Sequence, residues 1–248
     1  PSSCSPYNCK AWPASAKAAF EYAKSIWEAQ IISPVPISIV AYWENMGANT
    51  GVLGGSLPAD AWANFTGAQV RDTWFPNALA NRMAGNDLDK ASPDIEVSMN
   101  SAFPYWYYGT DGNPGGDAYD FVSVVVHEIG HGLGFLGSMY VGSAYCGAAN
   151  NGCWGYNNSP LYPFIYDRYT VNGAGQSLIN TSLFPNKSAA LAAQLQSGSV
   201  YFNGFYANRA NGGTWPRLYA PSTWEQGSSY SHLDENTYQT QNSLMTPM

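Results

Sequence analysis

Apolar positions along the chain change their spacing several times, and each change marks an element. In residues 14–31, ASAKAAFEYAKSIWEAQI, the side chains Ala19, Phe20, Ala23, Ile26 and Trp27 fall on one stripe at helical spacing. SPVP at 33–36 stops that helix, because proline offers no N–H and clashes with the preceding turn. ISIVAYW (37–43) is rich in β-branched and aromatic residues and predicts a strand. GVLGGSLP (51–58) predicts a short strand poor in side chains, closed by Pro58. PNALANRMA (76–84) predicts a short helix with proline at its start. DIEVSMNS (94–101) alternates Ile95, Val97 and Met99 with polar neighbours, as a half-buried strand does. After the loop GTDGNPGGD (109–117), an apolar helix is predicted over 119–133.

Beyond Gly134 the pattern weakens. Residues 137–225 carry few charges and much Gly, Asn, Ser and Pro, and only KSAALAAQLQ (187–196) reads as a helix. A loop-rich lobe around a modest core is expected there, with no linker that would make it a separate domain. The whole of 1–248 is therefore read as one domain.

Composition sharpens this picture. Of 248 residues, 45% are hydrophobic, enough for a sizeable core, while 11% are charged and 15% aromatic. A disordered chain would be charged and poor in aromatics. Net charge is −7 and no basic patch stands out, which argues against nucleic acid as a partner. No apolar run reaches the ~20 residues a membrane helix needs. The chain begins at Pro1 rather than methionine, and a mature, secreted protein is expected. Four cysteines fall in two close pairs without CxxC spacing. Of three connectivities, the local pairs Cys4–Cys9 and Cys146–Cys153 are expected, as suits an oxidising compartment.

The chemistry concentrates in HEIGHGLGFLGS, residues 127–138. Residues four apart share a helix face, so His127 and His131 can point at one metal ion, with Glu128 near enough to reach a water on it. Two histidines on so apolar a helix would be costly without partners. Gly134 lets the chain turn as the helix ends. A catalytic zinc takes three protein ligands. The candidates for the third are Asp167, Glu225 and His232, the last being the remaining histidine of three. Asp167 stands beside Arg168, where an ion pair or a strand-end role is the simpler reading. In TDGNPGGD (110–117), Asp111, Asn113 and Asp117 could ligate calcium, but the closing glutamate of an EF-hand is missing and a Gly/Pro turn is simpler.

HExxHxxGF, a late histidine at 232 and a methionine thirteen residues on, Met245 in SLMTPM, together resemble the metzincin metallopeptidases, and among them the leishmanolysin-like branch. In that branch an insertion, here 137–231, separates the glycine from the third histidine. The resemblance covers roughly 14–135 and 228–248. It implies an α+β zincin fold: an N-terminal subdomain (1–135) with a twisted mixed sheet and two long helices, a loop-rich C-terminal subdomain (136–248), and an active-site cleft between them. It implies His127, His131 and His232 as zinc ligands, Met245 as the Met-turn, and Leu53, Gly54 and Gly55 as part of a substrate-binding rim strand. The short-motif metzincins carry their third histidine where this chain has Gly137. Astacins and serralysins carry a tyrosine two residues past the Met-turn methionine, where this chain has Pro247, so no tyrosine role is carried over. The C-terminal helix usual in metzincins has no counterpart in the three residues after Met245.

The implied activity is that of a secreted zinc endopeptidase acting on protein or peptide substrates through a zinc-bound water, with Glu128 as general base and acid, and monomeric. Two other classes compete. A secreted carbohydrate- or protein-binding module would suit the many Trp, Tyr and Asn residues but leaves the histidine pair without a purpose. A non-peptidase zinc hydrolase would use the same ligands.

Overall fold

Two clusters of buried apolar side chains form, each within its own part of the chain. The computed structural model of the protein describes residues 8–155, 160–238, 240 and 243–247. Its backbone groups into two units, Pro1–Ala68 with Pro76–Gly134, and Gln69–Phe75 with Phe135–Met248. The secondary structure is mixed α and β throughout.

In the first unit, α1 (Ala14–Glu28) buries Ala16, Ala19, Phe20 and Ala23. The predicted stripe is right at its start, whereas Ile26 near its end is 38% exposed. Strands β1 (Ile39–Glu44) and β2 (Gly54–Pro58) come next, followed by the two-residue strands β3 (Ala61–Trp62) and β4 (Phe75–Pro76). Helix α2 (Asn77–Ala84) starts after Pro76, close to the predicted start, and ends at Gly85 in the left-handed conformation. Strand β5 (Ile95–Asn100) buries Ile95, Val97 and Met99. It is the centre of a three-stranded mixed sheet in the order β1-β5-β2, parallel to β1 and antiparallel to β2. The short β6 (Trp106–Tyr107) and β7 (Tyr119–Asp120) pair in parallel and lead into α3 (Phe121–Gly132).

Helix α3 carries the run Val124-Val125-Val126, which has a modest helix propensity because β-branched side chains lose χ1 freedom. Capping and packing override it. Asp120 caps the helix, its carboxylate accepting from Ser123 N at 3.0 Å. Phe121, Val125 and Ile129 then join Ala16, Phe20, Ala23, Trp43, Ile95 and Val97 in one core. Trp27 Nε1 donates to the Val126 carbonyl at 2.9 Å, tying α1 to α3 just before His127. At Gly132 the helix lies directly on the sheet, and a Cβ there would stand 2.1 Å from Ile95 Cγ2.

Two buried polar residues fix the sheet's ends. Asp94 accepts from Ser38 N, Ser38 Oγ and Asn81 Nδ2, joining β1, α2 and β5. Asn100 donates to the Gly47 and Val52 carbonyls and accepts from Met46 N, holding the loop that leads into β2.

The second unit is more regular than its composition suggests. Strand β8 (Tyr140–Val141), α4 (Ser143–Cys146) and β9 (Gly152–Cys153) form a small antiparallel loop, closed by the expected disulfide Cys146–Cys153. Cys4 lies outside the described residues, and the Cys4–Cys9 pairing with it. A 3-10 turn at Asp167–Tyr169 leads into β10 (Thr170–Asn172). Helix α5 (Ala189–Leu195), capped by Ser188, buries Leu191, Ala192 and Leu195. Strand β11 (Val200–Phe202) follows, then α6 (Phe205–Ala210) and β12 (Arg217–Leu218). Strands β10, β11 and β12 make an antiparallel sheet that the residue pattern did not suggest. Residues 69–75 join this unit through backbone bonds of Trp74 to Pro163 and Ile165, and through Arg168 donating to Thr73 Oγ1 and to the Arg71 and Asp72 carbonyls. Arg168 is thereby committed to these oxygens. Of the two readings of Asp167, an ion pair with Arg168 is not among the ion pairs of the described residues, while the strand-end position fits, since Asp167 opens the turn that leads into β10.

No helix among the described residues is long and apolar enough to cross a membrane.

Candidate metal centre

Helix α3 presents His127 and His131 one turn apart, with Nε2 of one 2.9 Å from Nε2 of the other. Two zinc–nitrogen bonds of 2.0–2.1 Å at a tetrahedral angle put their nitrogens about 3.3 Å apart, so the pair is close to that spacing as it stands. His131 is buried and His127 half-buried. His127, His131 and His232 each offer a nitrogen, and these atoms all lie within 4.8 Å of one another. Three imidazoles are a donor set that suits zinc, and the residues present therefore fit a single divalent ion.

The His232 ring is oriented through its other nitrogen. Nδ1 is 2.8 Å from the Ser228 carbonyl, which can only accept, so Nδ1 carries the proton and the lone pair falls on Nε2. The backbone around it is held in the manner of a strand. Tyr219 N donates to the His232 carbonyl at 2.9 Å, and Leu218 and Leu233 form an antiparallel bridge beyond β12. Leu233 N donates to the carbonyl of Met245, a buried residue, at 2.7 Å.

Glu128 is buried beside the histidine pair, and that burial pushes its carboxyl up to about 8. A divalent cation nearby would act in the opposite sense and favour the carboxylate. Gly54 makes room for this side chain: a Cβ at Gly54 would stand 3.2 Å from Glu128 Oε1 and 2.9 Å from the Ser98 carbonyl. Gly55 has open space where its Cβ would be. Both glycines lie in β2, an outer strand of the three-stranded sheet with no further strand beside it among the described residues. Leu53 just before them is buried, and its carbonyl accepts from Asn100 N.

The other sequence candidates make hydrogen bonds within the protein. Asp167 is fully buried and accepts from Ser138 N, Ser138 Oγ, Phe164 N and Tyr230 OH. Burial raises its carboxyl above the ordinary value, against the pull of those hydrogen bonds. Glu225 is exposed and accepts from Tyr219 OH at 3.0 Å. Asp111 accepts from Tyr107 OH at 2.7 Å and from Asn113 N, in an exposed turn.

Gly137, where short-motif metzincins have a ligand, packs flush on another residue. A Cβ there would stand 2.0 Å from Tyr230 Cε1 and 2.8 Å from Asp167 Oδ1. Sequence reading passed over Tyr230, Ser228 and Asn100, because a polar residue that organises a loop leaves no periodic trace.

No curated protein and no solved structure matches this chain. A family described as SPBPB7E8-like matches residues 70–201. The matched stretch contains α2, β5, all of α3 with both of its histidines, and the strands through β10, and it ends within β11, before His232. With that stretch amounting to just over half of the chain, the protein belongs to the SPBPB7E8-like family.

Proposed function

We propose that the protein is a secreted zinc-dependent endopeptidase of metzincin type. The observation that carries this reading is the convergence of three imidazole nitrogens from His127, His131 and His232, with the buried carboxyl of Glu128 adjacent in sequence to the first. When bound there, zinc would supply Lewis acidity and lower the pKa of its bound water to near 7. The chain's own residues account for the remaining requirements. His127 and His131 hold their lone pairs together because they share a helix face anchored by the core. The Nδ1–H of His232 donates to Ser228 and fixes the tautomer that leaves Nε2 to ligate. Glu128 accepts a proton from the attacking water and passes it to the amide nitrogen as the C–N bond breaks and the new C–O bond forms. The free edge of β2 offers backbone groups to which an extended peptide can add as a strand. The Cys146–Cys153 disulfide supports an oxidising, extracellular setting.

The test uses the full chain with zinc supplied and its content measured. Casein and peptide hydrolysis is expected, lost with a chelator and restored by zinc. Glu128→Ala should keep the metal and lower kcat ~10²–10⁴-fold. Near-normal turnover in that variant overturns the assignment. Hydrolysis of esters but not peptides would favour a non-peptidase hydrolase, and polysaccharide binding without hydrolysis would favour a binding module.

A further inference from the structure

Among the described residues, four non-glycine residues take positive φ: Asn64, Asp72, Lys187 and Tyr230. The first three are exposed, as expected of turns, but Tyr230 at φ +73° is fully buried. A bulky residue held there is strained, and it persists only where its surroundings over-determine it.

Those surroundings grip Tyr230 at every polar atom. Its N–H donates to the Tyr219 carbonyl at 2.7 Å, and its own carbonyl accepts from Tyr166 OH at 3.1 Å. Its hydroxyl donates to Asp167 Oδ1 at 2.9 Å and lies 2.9 Å from Thr170 Oγ1. Its ring rests against Gly137, with no space for even a methyl group between them. Asp167 is itself immobilised by Ser138 and Phe164.

His232 follows two residues later, and Tyr219 holds both ends of that short stretch. Its carbonyl takes the Tyr230 N–H, and its N–H donates to the His232 carbonyl. A tyrosine released from this grip would relax toward negative φ and rotate the chain that bears the histidine. We propose that Tyr230, clamped through Asp167 and seated on Gly137, is a positioning residue for the metal centre, its strained turn setting where His232 stands. The inference rests on the three-histidine reading of the site. In this chain position 137 provides the seat for the residue that places the distant histidine.

The experiment measures zinc affinity of the full-length protein by competition with a chromophoric chelator, the visible bands of the cobalt-substituted protein, and thermal stability. Wild type comes first: failure to bind about one equivalent of zinc overturns the metal reading itself. Given binding, Tyr230→Phe, which keeps the ring and removes the hydroxyl, is expected to weaken zinc about tenfold and alter the cobalt bands. That is the lower end of what loss of an outer-shell partner costs. Leu178→Ala is the control, a fully buried core position of the same unit. It should lower stability and leave affinity and bands unchanged. Wild-type affinity and bands in Tyr230→Phe overturn the inference, and so does an equal loss of affinity in Leu178→Ala. If Tyr230→Phe yields no folded protein, Asp167→Asn carries the comparison. It should weaken zinc and shift the bands, and wild-type values in it overturn the inference.

Discussion

The histidines of α3 and the histidine at 232 are held by different means. His127 and His131 ride on a regular helix whose inner face is apolar: Phe121, Val125 and Ile129 are each at most 1% exposed. Their mutual spacing follows from the 3.6-residue turn and needs nothing further. His232 lies outside the named helices and strands and is fixed by polar contacts, its ring to the Ser228 carbonyl and its own carbonyl to Tyr219 N. Periodicity places ligands cheaply and visibly. Irregular chain places a side chain by donors and acceptors, one at a time.

The largest test of that contrast is metal retention. His131→Ala and His232→Ala should both abolish stoichiometric zinc in dialysed protein, whereas Glu225→Ala should keep it. Full zinc in His232→Ala together with its loss in Glu225→Ala would hand the third position to the glutamate. Stability comes next. Ile129→Ala removes a fully buried side chain under the histidine pair and should cost ~2–5 kcal/mol in denaturant unfolding. A value under about 1 kcal/mol would mean that α3 is not held by its apolar face. Replacing both Cys146 and Cys153 by serine opens a loop with a sequence separation of 7. The chain-entropy account expects a loss of about 2.5 kcal/mol from that opening. Little change would show that the surrounding contacts already close the loop. The smallest effect is expected at the helix cap, where Asp120→Ala should cost ~1 kcal/mol and leave zinc content unchanged. A drop in zinc content there would show that the helix start, and not only its core face, sets the spacing of the pair.

The same contrast explains what could be read in the sequence. Helices α1, α2, α3 and α5 and strand β5 announce themselves through spacing and flanking proline or glycine, within a few residues of their observed ends. His127, Glu128 and His131 are legible for the same reason. Strands β10, β11 and β12 are two or three residues long, and their pairing partners lie far apart in the chain. No local pattern marks them. Helix α6 buries none of its residues and so shows no apolar stripe. Asp167 illustrates the limit most clearly. Next to Arg168 it suggests an ion pair or a strand-end role; it does stand just before β10, but its four donors are all neutral and Arg168 bonds elsewhere. A carboxylate buried without a cation depends on folded geometry, which neighbours in sequence do not reveal.

The glycine at 137 also constrains how this site could change by mutation. A histidine at that position would drive its Cβ into the Tyr230 ring, 2.0 Å from Cε1. The compact arrangement, with all three ligands inside eleven residues, is therefore not one substitution away. If His232 is the third ligand as proposed, acquiring a ligand at 137 would require displacing Tyr230, so any path would pass through an intermediate with a damaged core or an incomplete ligand set. On that reading the two ways of supplying a third histidine exclude one another in this fold, and drift at Gly137 alone meets the Tyr230 ring.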